Sequence, residues 1–215
     1  MWDLPACEIR DGRVFSRACD DLIGCAAIVA TLQHLEQIGA EASVYGLFTR
    51  AEEVGFVGAI ALAKSVVLPQ DVVVISLECS SERGGSCRMG DGAILRVGDR
   101  TSIFDPEVTA LLADLAKDAG IPIQRCLMSG GTCEATAYQL YGYRCGALCV
   151  ALGNYHNCGP DDRIEPEFVS FEDVEGLVRL CIAIAKARAT AADAAKELRA
   201  RLEKRVADYL VRLGA

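Results

Sequence analysis

The feature that most constrains the fold is a regular alternation of short apolar runs with longer helical patterns. The clearest run is "DVVVISLE", residues 71–78, whose nearly continuous β-branched side chains are typical of a strand buried on both faces. Helical patterns flank it, with "GFVGAIALAKS" before it and "DPEVTALLADLAKDAG" after it. Strands that alternate with helices in this way predict a three-layer α/β/α fold around a mostly parallel mixed sheet.

The other elements follow the same alternation. We predict strands over "SVYGLFT", "GDGAILRVGD", "PIQRCLM" and "CGALCVALG", and helices over "CAAIVATLQHLEQIG" and "CEATAYQLYG". Asp105 and Pro106 are typical of an N-cap and a first helical residue. Ser170 and Asp173 predict a capping box for the helix "FEDVEGLVRLCIAIAKA".

The chain is expected to form one core domain, residues 1–182, followed by an amphipathic helical extension, residues 183–215. The extension is locally basic, through Lys186, Arg188, Lys196, Arg199, Arg201, Lys204, Arg205 and Arg212. Its apolar residues recur three or four positions apart and form one stripe: Leu198, Leu202, Val206, Tyr209, Leu210 and Leu213. We expect this stripe to pack on its own domain, with self-association or a partner protein as the alternatives.

Composition excludes several classes of protein. A formal charge of −8 and a pI near 4.9 argue against a nucleic-acid surface, which needs clustered lysine and arginine. No apolar stretch approaches the roughly 20 residues of a membrane span, and the N-terminus lacks the pattern of a signal peptide. Eleven scattered cysteines without a CxxC pair are expected to be small buried residues of a cytoplasmic protein.

Potential metal ligands stand at the ends of the predicted strands. Glu52 and Glu53 follow "SVYGLFT", Glu78 ends "DVVVISL", and His156 follows "CGALCVAL", while Asp20 lies just before the first long helix. Since the carboxyl ends of strands line the ligand crevice of α/β sheets, we expect these residues to meet in one cleft. Carboxylates gathered there repel one another, which favours a bound divalent cation.

Except for Glu78, whose carboxylate after five apolar strand residues is rarely left unpaired, these residues also have a structural explanation when they are taken alone. Asp20 or Asp21 is explained as a helix N-cap, and Glu52 with Glu53 as a solvated helix start. His156 alone is an ordinary loop residue, and His34 lies in the middle of a helix, where a surface role is expected. Only the joint placement of the acidic residues and His156 favours a metal site.

Several motifs occur in the order found in a known group of enzymes. With "ACDDLIGCAAIV", "FTRAEEVGFVGA", "SLECS", "SGGTCEA" and "GNYHN", the chain resembles the dinuclear-zinc exopeptidases over about residues 15–182. The resemblance is closest to the tetrahedral aminopeptidases and their glutamyl-aminopeptidase relatives. It implies a metallo-aminopeptidase that hydrolyses the N-terminal bond of a peptide or an amino-acid amide, and that forms a homo-oligomer.

The resemblance also implies roles for individual residues. Asp20 corresponds to a carboxylate that bridges two metals, and Glu52 to the general base. Glu53 and His156 correspond to terminal ligands of one metal, and Glu78 to the terminal carboxylate of the other. The implied cofactor is zinc, as one or two ions, although cobalt or manganese suits the same ligands. The peptide between Asp20 and Asp21 is expected to be cis.

Two departures from the family pattern bear on activity. Relatives supply a further histidine to the metal on the Glu78 side from a strand that precedes everything in this sequence, and they insert a small β-domain after it. In addition, Cys133 and Glu134 stand where relatives commonly have aspartate after the threonine. The chain is then a fragment, a shortened form with one metal on Asp20, Glu53 and His156, or an inactive domain. We expect impaired activity.

Two other functions are compatible with the sequence. Cys133 at a predicted helix N-terminus could act as a thiolate nucleophile with His156 as its base, which would make the protein a thiol hydrolase. A non-catalytic scaffold is the other alternative, with the basic C-terminal helix as its binding surface.

Overall fold

A computed structural model describes residues 3–65, 67–82, 87–187 and 190–213. It leaves out the side chains of residues 191, 205, 207, 208 and 211–213. Four residues of the predicted basic and apolar sets in the C-terminal extension lie outside this description: Arg188, Arg205, Arg212 and Leu213.

The elements alternate along the chain largely as predicted. The strands are β1 (Glu8–Arg10), β2 (Arg13–Ser16), β3 (Val73–Ser81), β4 (Ala93–Asp99), β5 (Ile123–Met128), β6 (Arg144–Leu152) and β7 (Glu167–Ser170). The α-helices are α1 (Cys19–Gln37), α2 (Val57–Lys64), α3 (Pro106–Asp118), α4 (Glu134–Leu140), α5 (Phe171–Lys186) and α6 (Ala191–Leu213). Short 3₁₀ turns span Tyr155–Asn157 and Pro160–Asp162. Among the described residues, no helix has both the length and the apolar character that crossing a membrane requires.

The described residues form a mixed central sheet with the strand order β3–β6–β4–β5. β3 runs parallel to β6 and β4 runs parallel to β5, while β6 and β4 are antiparallel. The carboxyl ends of β3 and β6 therefore lie at the same edge of the sheet. A second, antiparallel sheet of β1, β2 and β7 was not predicted by the sequence analysis. It lies next to the carboxyl end of β6, where Gly153 forms a bridge with Phe168 of β7.

Helices cover both faces of the central sheet, so the predicted three-layer α/β/α class is confirmed. The alternating side chains of β6 show this, because Leu148 and Val150 pack in one cluster with α1, α3 and α5. Cys145 and Ala147 point to the other face, where they pack in a cluster with α2 and α4. Each such fully buried leucine contributes roughly 1.5–3 kcal/mol relative to an exposed one.

The strand predicted over "SVYGLFT" is wrong. Residues 41–49 form neither helix nor strand. Gly46 in this segment lies directly over Ile28 and Leu32 of α1, because a Cβ there would lie 2.7 and 3.1 Å from their side chains. A cavity separates the segment from β3, and no ladder forms between the two. An apolar run becomes a strand only when a neighbour supplies hydrogen bonds, and among the described residues no strand pairs with this segment.

The predicted helix starts are largely right. Asp105 caps α3, where its carboxylate accepts hydrogen bonds from the amides of Glu107 and Val108, both at 2.9 Å. Ser170 caps α5 by accepting the amide of Asp173 at 3.3 Å. The reciprocal half of the predicted capping box is wrong, because the Asp173 carboxylate turns to the amides of Gly90 and Gly92 at 2.7 and 2.9 Å.

The C-terminal helix α6 contacts α3, and Ala194 near its start is buried. The prediction that its apolar stripe packs on its own domain is wrong for the described side chains. All five of them are between 42% and 55% exposed: Leu198, Leu202, Val206, Tyr209 and Leu210. An exposed apolar row of this length is typical of a surface that meets another protein.

Asp173 yields a test of the fold. Its side chain is fully buried, and it is the acceptor for two loop amides. Asp173→Asn replaces one acceptor oxygen with an N–H group, so one buried amide loses its partner, at a cost of about 1–3 kcal/mol. Urea denaturation should show this loss of unfolding free energy. The control Glu175→Gln, exposed on the same helix, should change it by less than about 0.5 kcal/mol. Equal stability of both variants would contradict the assigned role.

Candidate metal centre

The start of α1 places Asp20 and Asp21. The peptide between them is cis, as the resemblance implied. Asp21 takes the capping role, because its Oδ1 accepts the amide of Gly24 at 3.1 Å. Asp20 is thereby free of the helix, and its side chain lines the cleft beside the end of β3.

A tight turn before α2 places Glu52 and Glu53. The carbonyl of Glu52 accepts the amide of Phe56 at 2.9 Å, and the amide of Gly58 reaches Arg50 at the same distance. Only glycine fits at position 58, because a Cβ there would lie 2.6 Å from the backbone nitrogen and oxygen of Arg50. The second glycine of "EEVGFVG", Gly58, is therefore required locally, because it lets the turn pack closely against the start of α2.

His156 lies in the loop after β6, with a left-handed backbone at φ 55°. Its ring stacks on Tyr155, with 3.9 Å between the ring centroids and 19° between the planes. The ring itself is exposed to the cleft. The backbone conformation of His156 and the stacking of its ring on Tyr155 thus fix the direction of the imidazole.

Glu167 on β7 joins two of these loops, and the sequence analysis missed it. One carboxylate oxygen accepts the amide of Asp20 and the other accepts the amide of His156, both at 3.1 Å. The Glu167 side chain is buried, with 3% of the residue exposed. The available signal in the sequence was an acidic residue at the start of the apolar run "EFVS", where a buried carboxylate needs donors.

The structure brings three of the four predicted ligands together. One ligand atom each of Asp20, Glu53 and His156 lies within 4.8 Å of the other two. Two carboxylates and an imidazole suit a divalent cation such as zinc. Among the described residues, the other convergent group is Asp20, Asp21 and Cys79, and Glu78 belongs to neither group. Glu78 and Glu52 nevertheless line the same cleft, which has a volume of about 1260 Å³.

The carboxyl groups of the cleft have raised pKa values, because burial and neighbouring negative charges disfavour their ionised form. Burial, reinforced by the charges of Asp21 and Glu53, raises the pKa of Asp20 to about 8. Burial raises the pKa of Glu78 to about 9, although the nearby guanidinium of Arg96 lowers it. Burial and the charge of Glu53 raise the pKa of Glu52 to about 7. A divalent cation among these groups would remove the repulsion, so the donor set fits a metal ion.

Cys133 does not suit the thiolate role that was the alternative. The residue is fully buried, and burial raises the pKa of its thiol to about 12. A protonated, inaccessible thiol is a poor nucleophile, so the structure argues against a thiol hydrolase built on Cys133. His34 lies in the middle of α1 and lines neither the cleft nor the cavity beside β3, which agrees with the role expected for it.

Proteins of known family match this chain over most of its length. The family model of M42 glutamyl aminopeptidases matches residues 1–180. A provisionally assigned aminopeptidase of Acetivibrio thermocellus is 29% identical over 175 residues, which make up 79% of this chain and 50% of that protein.

The fold is similar to that of solved aminopeptidase structures, including two TET peptidases. A TET aminopeptidase from a marine sediment archaeon of the Thaumarchaeota superposes with a TM-score of 0.74 at 28% identity, covering 85% of this chain and 52% of its own. The Pyrococcus horikoshii TET1 peptidase, which can assemble into a tetrahedron or a large octahedral shell, gives a TM-score of 0.70 at 28% identity over 83% of this chain and 52% of its own. The chain therefore spans about half the length of the relatives it matches.

The hydrogen bonds of Glu167 predict a loss of metal affinity on substitution. Glu167→Gln leaves one of the two backbone amides facing an N–H group, so the loops of Asp20 and His156 are no longer held together. Metal affinity should fall by about 10- to 100-fold, as measured by competition with a fluorescent zinc chelator. Glu172→Gln, an exposed change nearby, should leave the affinity unchanged. An unaltered affinity in Glu167→Gln would refute the positioning role.

The raised pKa values predict how stability depends on pH in the metal-free chain. The folded state holds protons on Asp20, Glu52 and Glu78 at pH values where the unfolded chain has lost them. Their stabilising contribution is therefore complete below about pH 4 and is lost as the pH rises through about 7 to 9. Urea denaturation with a chelator should give a lower unfolding free energy at about pH 8.5 than at about pH 6. Excess zinc should raise it more at the higher pH.

A variant separates this effect from general alkaline instability. Glu78→Gln removes one of the carboxyl groups whose pKa is raised furthest, so the unfolding free energy of this variant should change less between the two pH values. A wild-type profile that is flat with the chelator present would show that burial and neighbouring charges do not raise the pKa values of these carboxyl groups as described.

Proposed function

The chain belongs to the M42 glutamyl aminopeptidase family, and we propose that it is a metal-dependent hydrolase of N-terminal peptide bonds. The observation that supports this best is the convergence of Asp20, Glu53 and His156 within 4.8 Å in a cleft that also contains Glu52. The proposed substrate is a peptide or an amino-acid amide. No role for nucleic acid or a membrane is proposed.

M42 peptidases depend on metal, and in this chain we assign the ligands to Asp20, Glu53 and His156. A divalent cation there, zinc in this proposal although cobalt or manganese suits the same donors, supplies polarisation of the scissile carbonyl and acidification of water. Glu78 lines the cleft but belongs to no convergent group of three among the described residues. We therefore assign one firmly held ion per chain and a low turnover, with Glu78 as a weak contributor to a second ion.

Glu52 is the proposed general base. Its carboxylate lies in the cleft, and its pKa, raised to about 7 by burial and by Glu53, is close to the working pH of a base in a neutral cell. It accepts a proton from the attacking water as the new C–O bond forms. It then donates that proton to the leaving amine nitrogen as the C–N bond breaks, which returns Glu52 to its carboxylate form.

The rest of the cleft is assigned to holding the substrate. The carboxylates of Glu52 and Glu53 form an acidic wall that attracts the α-ammonium group of an N-terminal residue. Glu167 keeps Asp20 and His156 in place from behind through their amides. A 1260 Å³ volume leaves room for the first residues of a peptide beside them.

A non-catalytic interaction domain remains the second candidate, supported by the exposed stripe on α6. The same stripe supports assembly of the chain with copies of itself, as in the Pyrococcus horikoshii TET1 peptidase. A cytoplasmic location is part of the proposal, and it rests on the scattered cysteines of the sequence.

Substitution of the proposed base tests the mechanism. Glu52→Gln removes the proton acceptor but none of the three assigned ligands, so hydrolysis of amino-acid amides by the zinc-loaded chain should fall about 10²- to 10⁴-fold. Elemental analysis after dialysis should still find zinc at the wild-type ratio. Glu36→Gln, an exposed change on α1, should alter neither quantity.

Two outcomes would contradict the proposal. Full activity in Glu52→Gln would eliminate Glu52 as the base. A wild-type chain that retains no zinc and hydrolyses no amino-acid amide would favour the interaction domain instead.

A further inference from the structure

Tyr155 lies in the cleft beside the proposed metal ligands and the proposed base. It follows Asn154 in the loop after β6, and it lines the cleft together with Asp20 and Glu52. Its ring stacks on the imidazole of His156 and also packs against the main core cluster of the molecule. These two contacts hold the tyrosine ring in one direction.

Hydrogen bonds also hold the backbone on both sides of Tyr155. The side-chain amide of Asn154 donates to the carbonyl of Pro166 at 2.9 Å, and the side-chain amide of Asn157 donates to the carbonyl of Glu165 at 3.1 Å. The loop is thereby attached to the segment that precedes β7. Tyr155 is therefore in position before a substrate binds, which is the property required of a group that stabilises a transition state.

The hydroxyl of Tyr155 is available as a hydrogen-bond donor. Within the residues that the structure describes, it forms no hydrogen bond. Burial raises the pKa of this hydroxyl, and the charges of four carboxyl groups of the cleft raise it further, those of Asp20, Glu53, Glu78 and Glu52. The hydroxyl is therefore close to the groups that would surround a scissile bond.

Hydrolysis of a peptide bond creates negative charge that this part of the cleft is poorly suited to accept. As the new C–O bond forms, the oxygen of the scissile carbonyl becomes an oxyanion. The neighbouring side chains of the cleft include four acidic groups, Asp20, Glu52, Glu53 and Glu78. Besides a cation, the oxyanion needs a donor that carries no negative charge, and a tyrosine hydroxyl is one of the side-chain donors that meet this need in enzymes.

We propose that Tyr155 is a further catalytic residue, whose hydroxyl donates a hydrogen bond to the oxygen of the scissile carbonyl as this oxygen becomes an oxyanion. The inference rests on the proposed function and adds one residue to it. The proton stays on Tyr155 throughout, because Glu52 takes the proton of the attacking water and gives it to the leaving amine as the C–N bond breaks. The stacking on His156 is a separate contribution, since it uses the ring and not the hydroxyl.

Tyr155→Phe tests the proposal, because it removes the hydroxyl and keeps the ring that stacks on His156. Hydrolysis of the amides of leucine, glutamate and lysine is measured with the zinc-loaded full chain. The kcat for the best of these substrates should fall about 10²-fold while KM stays unchanged, since the hydrogen bond strengthens only in the transition state. Zinc affinity, measured by competition with a fluorescent chelator, should also stay unchanged.

A binding measurement examines the same hydrogen bond without turnover. The aminophosphonic acid analogues of leucine, glutamate and lysine carry a tetrahedral anionic group that resembles the oxyanion. Calorimetry with the zinc-loaded chain should show that the best of them binds Tyr155→Phe about tenfold or more weakly than the wild type. The corresponding free amino acid, whose carboxylate is planar, should lose less affinity.

Two further variants serve as controls. Tyr209→Phe makes the same change on α6, at a residue that lines neither the cleft nor the cavity beside β3, and it should leave kcat, phosphonate affinity and zinc affinity unchanged. Tyr155→Leu removes the ring together with the hydroxyl. It should weaken zinc binding as well, because His156 loses the ring on which it stacks.

Three results would overturn the inference. An active wild type whose kcat and phosphonate affinity are unchanged in Tyr155→Phe would exclude the hydrogen bond and leave the proposed function standing. A parallel loss of kcat and zinc affinity in Tyr155→Phe would show that the hydroxyl supports the metal ligands instead. A zinc-treated wild type that neither hydrolyses an amide nor binds a phosphonate would overturn the proposed function, and this inference with it.

Discussion

The candidate metal centre depends on one buried carboxylate, Glu167, that accepts hydrogen bonds from backbone amides in two distant parts of the chain. Asp20 lies at the start of α1 and His156 in the loop after β6, and the two oxygens of Glu167 hold both amides. The third proposed ligand, Glu53, comes from a turn that closes only because position 58 is glycine. Three segments that are far apart along the chain are thus brought together by backbone hydrogen bonds, and this arrangement does not require a bound metal.

Burying several carboxylates in one cleft is energetically unfavourable, and this explains the chemistry of the site. Buried carboxylates at the ends of strands would be more stable as neutral acids, which is why the pKa values of Asp20, Glu52 and Glu78 are raised to between about 7 and 9. A divalent cation bound among these buried carboxylates would stabilise their charged form, so the site favours binding of a cation. The same burial gives Glu52 a pKa suited to a general base, so one physical cause, desolvation, supports both metal binding and proton transfer.

Much of the fold could be predicted because it depends on local patterns. The β-branched run of β3, the Asp105–Pro106 start of α3 and the strand-end positions of Glu78 and His156 are all visible in the sequence. The segment 41–49 could not be predicted correctly, because its apolar pattern is that of a strand while strand formation depends on a neighbour. Glu167 was missed for a similar reason, since its two donors lie 147 and 11 residues away.

The cavity beside β3 and the candidate metal centre are physically one region. Asp20, Glu52, Glu53 and Glu78 line both the cavity and the cleft, so any group that enters the cavity also changes the solvent around these carboxylates. A basic side chain there would compete with a cation for these carboxylates, whereas a ligating side chain would assist the binding of the cation. Occupation of the cavity and the metal affinity of the cleft are therefore linked, and each must influence the other to the same extent in free energy.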